Sequence, residues 1–356
     1  LAGGAIESYI NDFYFDLVGT SLTPVGGTVV LAANSEFINH ASMTNTGSMT
    51  NTIILTNEDT LTNTGTLAND GTLANAAAGA FNNNNSLANT GTLTNDGTLT
   101  NIGSLDNSGG LQNNNGLQND GTLVNESGGI LTNAGTLTNT GQLTNAAGAI
   151  LNNSGTLNDN GTVQNYGTLN NTGSITNSDT IYVTGGGILD TTGGQLGSLA
   201  VLVNNGTLTL GVGSDVTVGG AVTLESGGSV SIFGGTLDAT TLNMSGGSFA
   251  FDGGTLNVDT VVGDLVNSGG TLGPGHSPGT TTINGNYSQD ASSTLLIEIE
   301  GLIAGTEYDV LNVGGTATLD GILEFDVDYS GLLLGDSFNI LNADVISGTF
   351  ATVTNR

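Results

Sequence analysis

The sequence predicts a parallel β-solenoid, an all-β fold in which the chain coils about one axis and each coil pairs with the next. Three observations predict it. An apolar residue recurs every six positions from Phe37 to Ile181, with three wider steps. Asn stands two residues after that apolar position in 22 of 24 units, Asp159 and Val183 being the exceptions. Glycine fills 59 of the 356 positions, more than twice the usual share of ~7%.

Residues 1–36 precede the repeat. Ile6, Tyr9, Ile10, Phe13 and Leu17 fall at helical spacing in an aromatic-rich stretch, which predicts an amphipathic segment. The first coil of a solenoid is an unpaired edge that must be covered or used. The segment is therefore expected to cap that coil or to dock on the next subunit. No signal peptide is visible, and Leu1 is compatible with its removal.

Residues 37–183 carry the hexads. The unit reads L-x-N-x-G-T, as in Leu61-Thr62-Asn63-Thr64-Gly65-Thr66. A helix would repeat at 3.6 residues and lose ~1 kcal/mol for each Gly relative to Ala. A short strand plus a corner consumes six residues instead, and three such sides close a coil of about 18 residues that stacks ~4.8 Å from the next. The 24 units then make eight coils, a rod of about 38 Å. Leu stacks on Leu inside, and Asn on Asn near each corner, each amide-to-amide bond contributing ~0.5–1.5 kcal/mol. Gly is expected to supply positive φ at the corners. The three eight-residue spacings, at Ala76–Ala80, Ser127–Ile130 and Ala146–Ile150, read as corner bulges that leave the apolar register intact.

Residues 184–294 lose the hexad but keep alternating segments: Val216–Val218, Ala221–Leu224, Ser229–Ile232, Leu237–Leu242 and Ser248–Phe251. Gly-Gly pairs punctuate them, which predicts longer, less regular coils of the same type. Residues 295–356 form a C-terminal strand region. Its carboxylates alternate with apolar residues: Glu298 and Glu300 with Ile297 and Ile299, then Glu324, Asp326 and Asp328 with Phe325 and Val327. Both sets should face outward, either as a solvated acidic face or as ligands bridged by Ca²⁺, a hard cation that takes carboxylate oxygens.

Charge sharpens the reading. Lys plus Arg number 1, against 31 Asp plus Glu, and the one cation is the terminal Arg356. Carboxylates without cationic partners must be spread out, screened by salt, or bound by cations such as Ca²⁺. Nucleic acid and anionic membranes need a Lys/Arg footprint and are excluded as partners. With no cysteine, thiolate chemistry is absent. No apolar run approaches the ~18 residues of a membrane-spanning helix.

Reactive groups are sparse. The histidines are His40, in a hexad turn, and His276, beside Ser277 in a Gly-Pro-rich turn with no second histidine nearby. Both read as turn residues rather than catalytic bases. Lys- and Arg-dependent mechanisms are gone, whereas a glycosidase, which needs only two carboxylates, survives as the weakest option. The Thr-Leu-Thr triplets at 60–62, 98–100 and 136–138 suggest an ice-binding face, but every third hexad also includes Ala-Phe-Asn and Gly-Leu-Gln. That mixture is too irregular for a matched lattice.

Two late motifs carry a resemblance. Gly270-Thr271-Leu272-Gly273-Pro274-Gly275-His276-Ser277-Pro278-Gly279 and Tyr308-Asp309-Val310-Leu311-Asn312-Val313-Gly314-Gly315-Thr316-Ala317-Thr318-Leu319-Asp320-Gly321 resemble the C-terminal passenger region of autotransporter-like bacterial surface proteins. The N-x-G-T-L hexads are similar to autotransporter and haemagglutinin-type passenger repeats. The chain departs from that pattern at His276, where Asn is expected, and no membrane-anchoring barrel follows. The resemblance implies a right-handed β-helix, although the hexads themselves are compatible with either hand.

These readings converge on a secreted or cell-surface structural β-solenoid without catalytic activity, a fibre, matrix or adhesin stalk. It is expected to self-associate as a homopolymer through its chain ends. The competing classes are a glycan- or ice-binding module, with surface glycans as partners, and a carbohydrate-active β-helix enzyme. The only cofactor this composition admits is Ca²⁺ at Glu298, Glu300, Glu324, Asp326 and Asp328.

Overall fold

The computed structural model describes residues 6–7, 15–17, 28–31, 36–198 and 200–356. Among these the secondary structure is all strand, with no helix. The strand-to-strand ladders among the described residues are parallel, which makes the fold a parallel β-solenoid. The chain divides into two compact units, residues 1–179 and 180–356.

In the first unit each hexad is one four-residue strand, such as Thr92–Asn95 or Thr98–Asn101. Each strand pairs with the equivalent strand one coil away, so apolar residues stack in columns. One column runs Met43, Leu61, Phe81, Leu99, Leu117, Leu137, Leu157 and Ile175. Every member is buried, at ~1.5–3 kcal/mol of transfer free energy per side chain. The coil step is 18 residues from Asn101 to Asn119 and 20 from Asn119 to Asn139. The longer steps absorb the eight-residue spacings as bulges at the corners, and the register survives: Asn75 still lies opposite Asn95.

The Asn positions form three buried ladders. Asn83 donates through Nδ2 to Asn101 Oδ1 at 2.7 Å, Asn101 donates to Asn119 at 2.7 Å, and Asn119 to Asn139 at 2.6 Å. The second amide proton reaches a backbone carbonyl of the coil above, as from Asn101 to Thr122 at 2.9 Å. The columns of Asn39 and Asn51 repeat this pattern with the same polarity. A buried amide is costly unless satisfied, and here each rung satisfies the next.

Asp159 interrupts one ladder. It is buried and accepts from Asn139 on one side and from Asn177 on the other, both at 2.5 Å. A carboxylate has no proton to pass on, so Asn177 points its amide back toward Asp159. The polarity of the ladder reverses at that rung.

The role expected of glycine changes. The hexad glycines do not adopt positive φ; in the first unit Gly128 and Gly148, in two of the corner bulges, do. A Cβ on Gly91 would lie 2.0 Å from the carbonyl oxygen of Gly71, and one on Gly109 would lie 2.1 Å from that of Gly91. Hexad glycine is therefore required by close coil-to-coil approach rather than by backbone handedness.

The N-terminal expectation is also corrected where it can be compared. Ile6 and Leu17 lie in short strands, Ile6–Glu7 and Phe15–Leu17, which pair in parallel with Val29–Val30 and Phe37–Asn39. Their helical spacing is coincidental, since extended pairing satisfies the backbone of the adjoining coil. Tyr9, Ile10 and Phe13 lie outside the described residues.

In the second unit the steps are irregular, from 16 residues between Thr255 and Thr271 to 30 between Asn312 and Asn342. The segments expected as separate strands fuse into Asp215–Leu224, Ser229–Asn243 and Ser248–Val262. Their Gly-Gly pairs sit inside these strands, where the register shifts. They bend a strand around a corner without ending it. The core of this unit is aliphatic, with Val216, Ile232, Leu256 and Leu295 buried. Tyr287 is buried too, and its hydroxyl donates to Gln289 Oε1 at 2.8 Å.

Candidate functional site

The residues with chemical potential gather on the second unit around the turn that joins Thr271–Pro274 to Thr280–Ile283. Gly275 opens this turn at φ +66°, a conformation that favours glycine. Its amide donates to Thr281 Oγ1 at 2.9 Å. At the far side of the turn, the Gly279 amide donates to Asp309 Oδ1 at 2.6 Å, and the other oxygen of Asp309 accepts from the Glu298 amide at 2.8 Å. Asp309 is 1% exposed. Burial pushes its carboxyl up to about 6, while the two backbone donors hold it down. It is a fastener between turn and strand, with both oxygens committed.

Ser277 donates to Glu298 Oε2. Burial raises the Glu298 carboxyl above its ordinary value and Asp326 adds to the rise, while Arg356 opposes it. A cavity of about 310 Å³ lies here, bordered by Asn257, Thr271, Gly273, Ser277, Glu298 and Arg356 among others. A Cβ on Gly273, on the groove wall, would come within 2.8 Å of Asn257 Oδ1. Hydroxyls, an amide, carboxylates and a guanidinium give the groove donors and acceptors suited to a polyhydroxyl ligand.

His276 lies on the outer side of the turn. Its Nε2 is 2.7 Å from Asp238 Oδ1 and its Nδ1 is 2.9 Å from Asp259 Oδ1. Both ring nitrogens face carboxylates, so neither is free to take a proton from Ser277. His40 pairs with Glu58 at 2.7 Å on the exposed surface of the first unit.

Of the five carboxylates proposed as calcium ligands, Glu298 and Asp326 are direct neighbours on paired strands, and Glu298 and Glu324 border the same groove. Glu300 and Asp328 are exposed. Among the described residues, no three His, Asp or Glu side chains are arranged to hold a metal ion. The expectation that the carboxylates lack any cationic partner is corrected: Arg356 Nη2 is 2.8 Å from Asp326 Oδ2. That partnership joins residues one 30-residue step apart, and the irregular coil lengths of this half hide it from the sequence. The same irregularity conceals Asp238 and Asp259 as partners of His276, although both are acidic residues on alternating strands.

The last coil is the other distinctive surface. Its strands, Leu341–Gly348 and Thr352–Asn355, pair on one side with Val310–Leu319 and Ile322–Val327. Ile346 stacks over Ala317 and Val353 over Leu323. The lower members are 0% and 7% exposed, whereas Ile346 and Val353 are 54% and 62% exposed. Core positions are thus uncovered, and Leu333 and Leu334 in the preceding loop are exposed as well. Among the described residues, no helix is long and apolar enough to cross a membrane. Compared with family models, with curated proteins and with solved structures, the chain gives no match.

Proposed function

We propose that the protein is a structural β-solenoid of the cell surface or extracellular matrix, a fibre or adhesin stalk without catalytic activity, whose copies stack end to end. The observation that carries this reading is the set of buried Asn ladders together with their aliphatic columns. In each hexad the apolar, Asn and Gly positions are committed to holding coil on coil. The resemblance to autotransporter-like passengers supports the surface location, and an acidic, cysteine-free chain suits a salty exterior.

End-to-end stacking would extend to a second copy the parallel coil-on-coil pairing repeated within each unit. Ile346 and Val353 are exposed apolar side chains on strands that could take part in such pairing. Covering each of these two side chains is worth ~1.5–3 kcal/mol, besides the strand hydrogen bonds. Electron microscopy and sedimentation should show filaments for the native chain and dispersed particles for Ile346→Asp with Val353→Asp. Native protein that stays monomeric at high concentration refutes the stacking.

The groove beside Ser277 favours a second reading, a glycan-binding module, which a glycan array tests directly. The ice-binding reading has less support. Thr98 stacks between Ala80 and Gly116, so the threonine row is interrupted.

A further inference from the structure

We propose that His276 is a proton-operated latch that ties the 275–279 turn to two preceding strands and lets go of one of them, loosening the turn, when the ring loses a proton. Asp238 belongs to the strand Ser229–Asn243 and Asp259 to Ser248–Val262. Each presents a carboxylate oxygen to a different nitrogen of one imidazole, at 2.7 and 2.9 Å. Ionised carboxylates only accept hydrogen bonds, and a neutral imidazole has one N–H. The observed arrangement therefore requires the imidazolium. Deprotonation leaves one nitrogen lone pair against a carboxylate, and that contact must open.

Asp238 and Asp259 are the charged groups that face His276. They raise its proton affinity above the ordinary histidine value of 6.5, the bond to Asp259 most strongly, against a smaller opposing effect of burial. The sign follows. A histidine with a raised folded-state value contributes stability that is complete below pH 6.5 and is lost as pH rises through the raised value. Because Gly275 and Ser277 border the polar groove, loosening the turn moves one wall of that groove. The latch is thus closed in mildly acidic surroundings and open in alkaline ones. It depends on neither the stacking of copies nor the identity of any ligand.

The chain contains two histidines, so ring-proton NMR resolves His276 with His40 as an internal reference. In the full chain, the His276 midpoint is expected above 6.5 and should fall in both Asp238→Asn and Asp259→Asn. Amide exchange at Gly275, measured relative to its intrinsic rate, should speed up about fivefold across the same midpoint, the effect of losing one part-exposed ion pair. His276→Arg replaces the ring by a guanidinium that stays charged and can serve both carboxylates, so the step in Gly275 protection at the His276 midpoint should vanish, leaving only what Asp309 imposes on the turn through the Gly279 amide near pH 6. Far-UV circular dichroism confirms that each variant retains the solenoid. A His276 midpoint that is unmoved in both Asn variants overturns the latch. So does a Gly275 exchange rate without a step at that midpoint, or a step that persists in His276→Arg.

Discussion

Asn101 tests whether the ladders hold the first unit together. It donates to Asn119 Oδ1 and to the Thr122 carbonyl, and accepts from Asn83, at 2.7, 2.9 and 2.7 Å. Asn101→Ala deletes all three bonds. Asn83 keeps its bond to the Ser104 carbonyl at 2.8 Å, but Asn119 Oδ1 loses its ladder donor inside a dry column. At ~0.5–1.5 kcal/mol for each of the three bonds plus ~1–3 kcal/mol for a stranded acceptor, the loss should be about 2.5–7.5 kcal/mol. Asn101→Asp should be worse at neutral pH, because its carboxylate would face the acceptor of Asn119, and should partly recover on acidification as the carboxyl gains a proton to donate. Asn85→Ala is the control: Asn85 is exposed and reaches the Thr64 carbonyl at 3.1 Å, so its loss should stay within ~0.5 kcal/mol. Denaturant midpoints by circular dichroism, with amide exchange in the neighbouring coils, give the ranking. If Asn101→Ala and Asn85→Ala cost the same, the buried amides are not what binds coil to coil.

Two further perturbations follow from the same packing. Gly91→Ala, which places a Cβ 2.0 Å from a carbonyl oxygen, should force two coils apart and cost more than Gly128→Ala, which sits in open space at φ +85° and should cost only the ~1–2 kcal/mol of a left-handed backbone; equal melting temperatures for the two would reject the close-approach account. Asp159 is a carboxylate whose proton affinity is raised by burial, so the native chain should lose stability as pH rises through a value above the ordinary 3.8. Asp159→Asn should flatten that dependence, and a variant whose urea midpoints fall with pH as steeply as those of the native chain would exclude Asp159 as its source.

The repeat was legible because its period is short and constant. Once Leu61, Phe81 and Leu99 are recognised as equivalent, the register of the hexad region follows by counting, including the bulges. The role of glycine was not legible in the same way. Gly91 and Gly128 look alike in a sequence, yet one is required by a neighbouring carbonyl and the other by φ, and only the coil spacing separates them. In the second unit the step varies from 16 to 30 residues, so counting fails there. Glu298 and Asp326 could still be paired from their alternation, but Arg356 and the two partners of His276 could not. Those contacts depend on where long corners deliver a side chain, which local pattern does not encode.

The reversal at Asp159 shows what kind of element a ladder is. Each Asn could present its amide upward or downward, and no single rung has reason to prefer one. A rung that donates downward while its neighbour donates upward would leave two acceptors or two donors facing each other in a dry column, at ~1–3 kcal/mol for each stranded group. Orientation is therefore a property of the whole run, and it changes only where a residue can accept from both sides. Asp159 is that residue, and Asn177 adopts the opposite sense beyond it. Asn-to-Asp exchange is accordingly not conservative in this protein: where it lies decides how many rungs must turn. At the end of a column one rung turns, whereas at Asn101 the conflict extends through Asn119 and Asn139 to Asp159. Asp should therefore be tolerated near column ends and excluded from their middles.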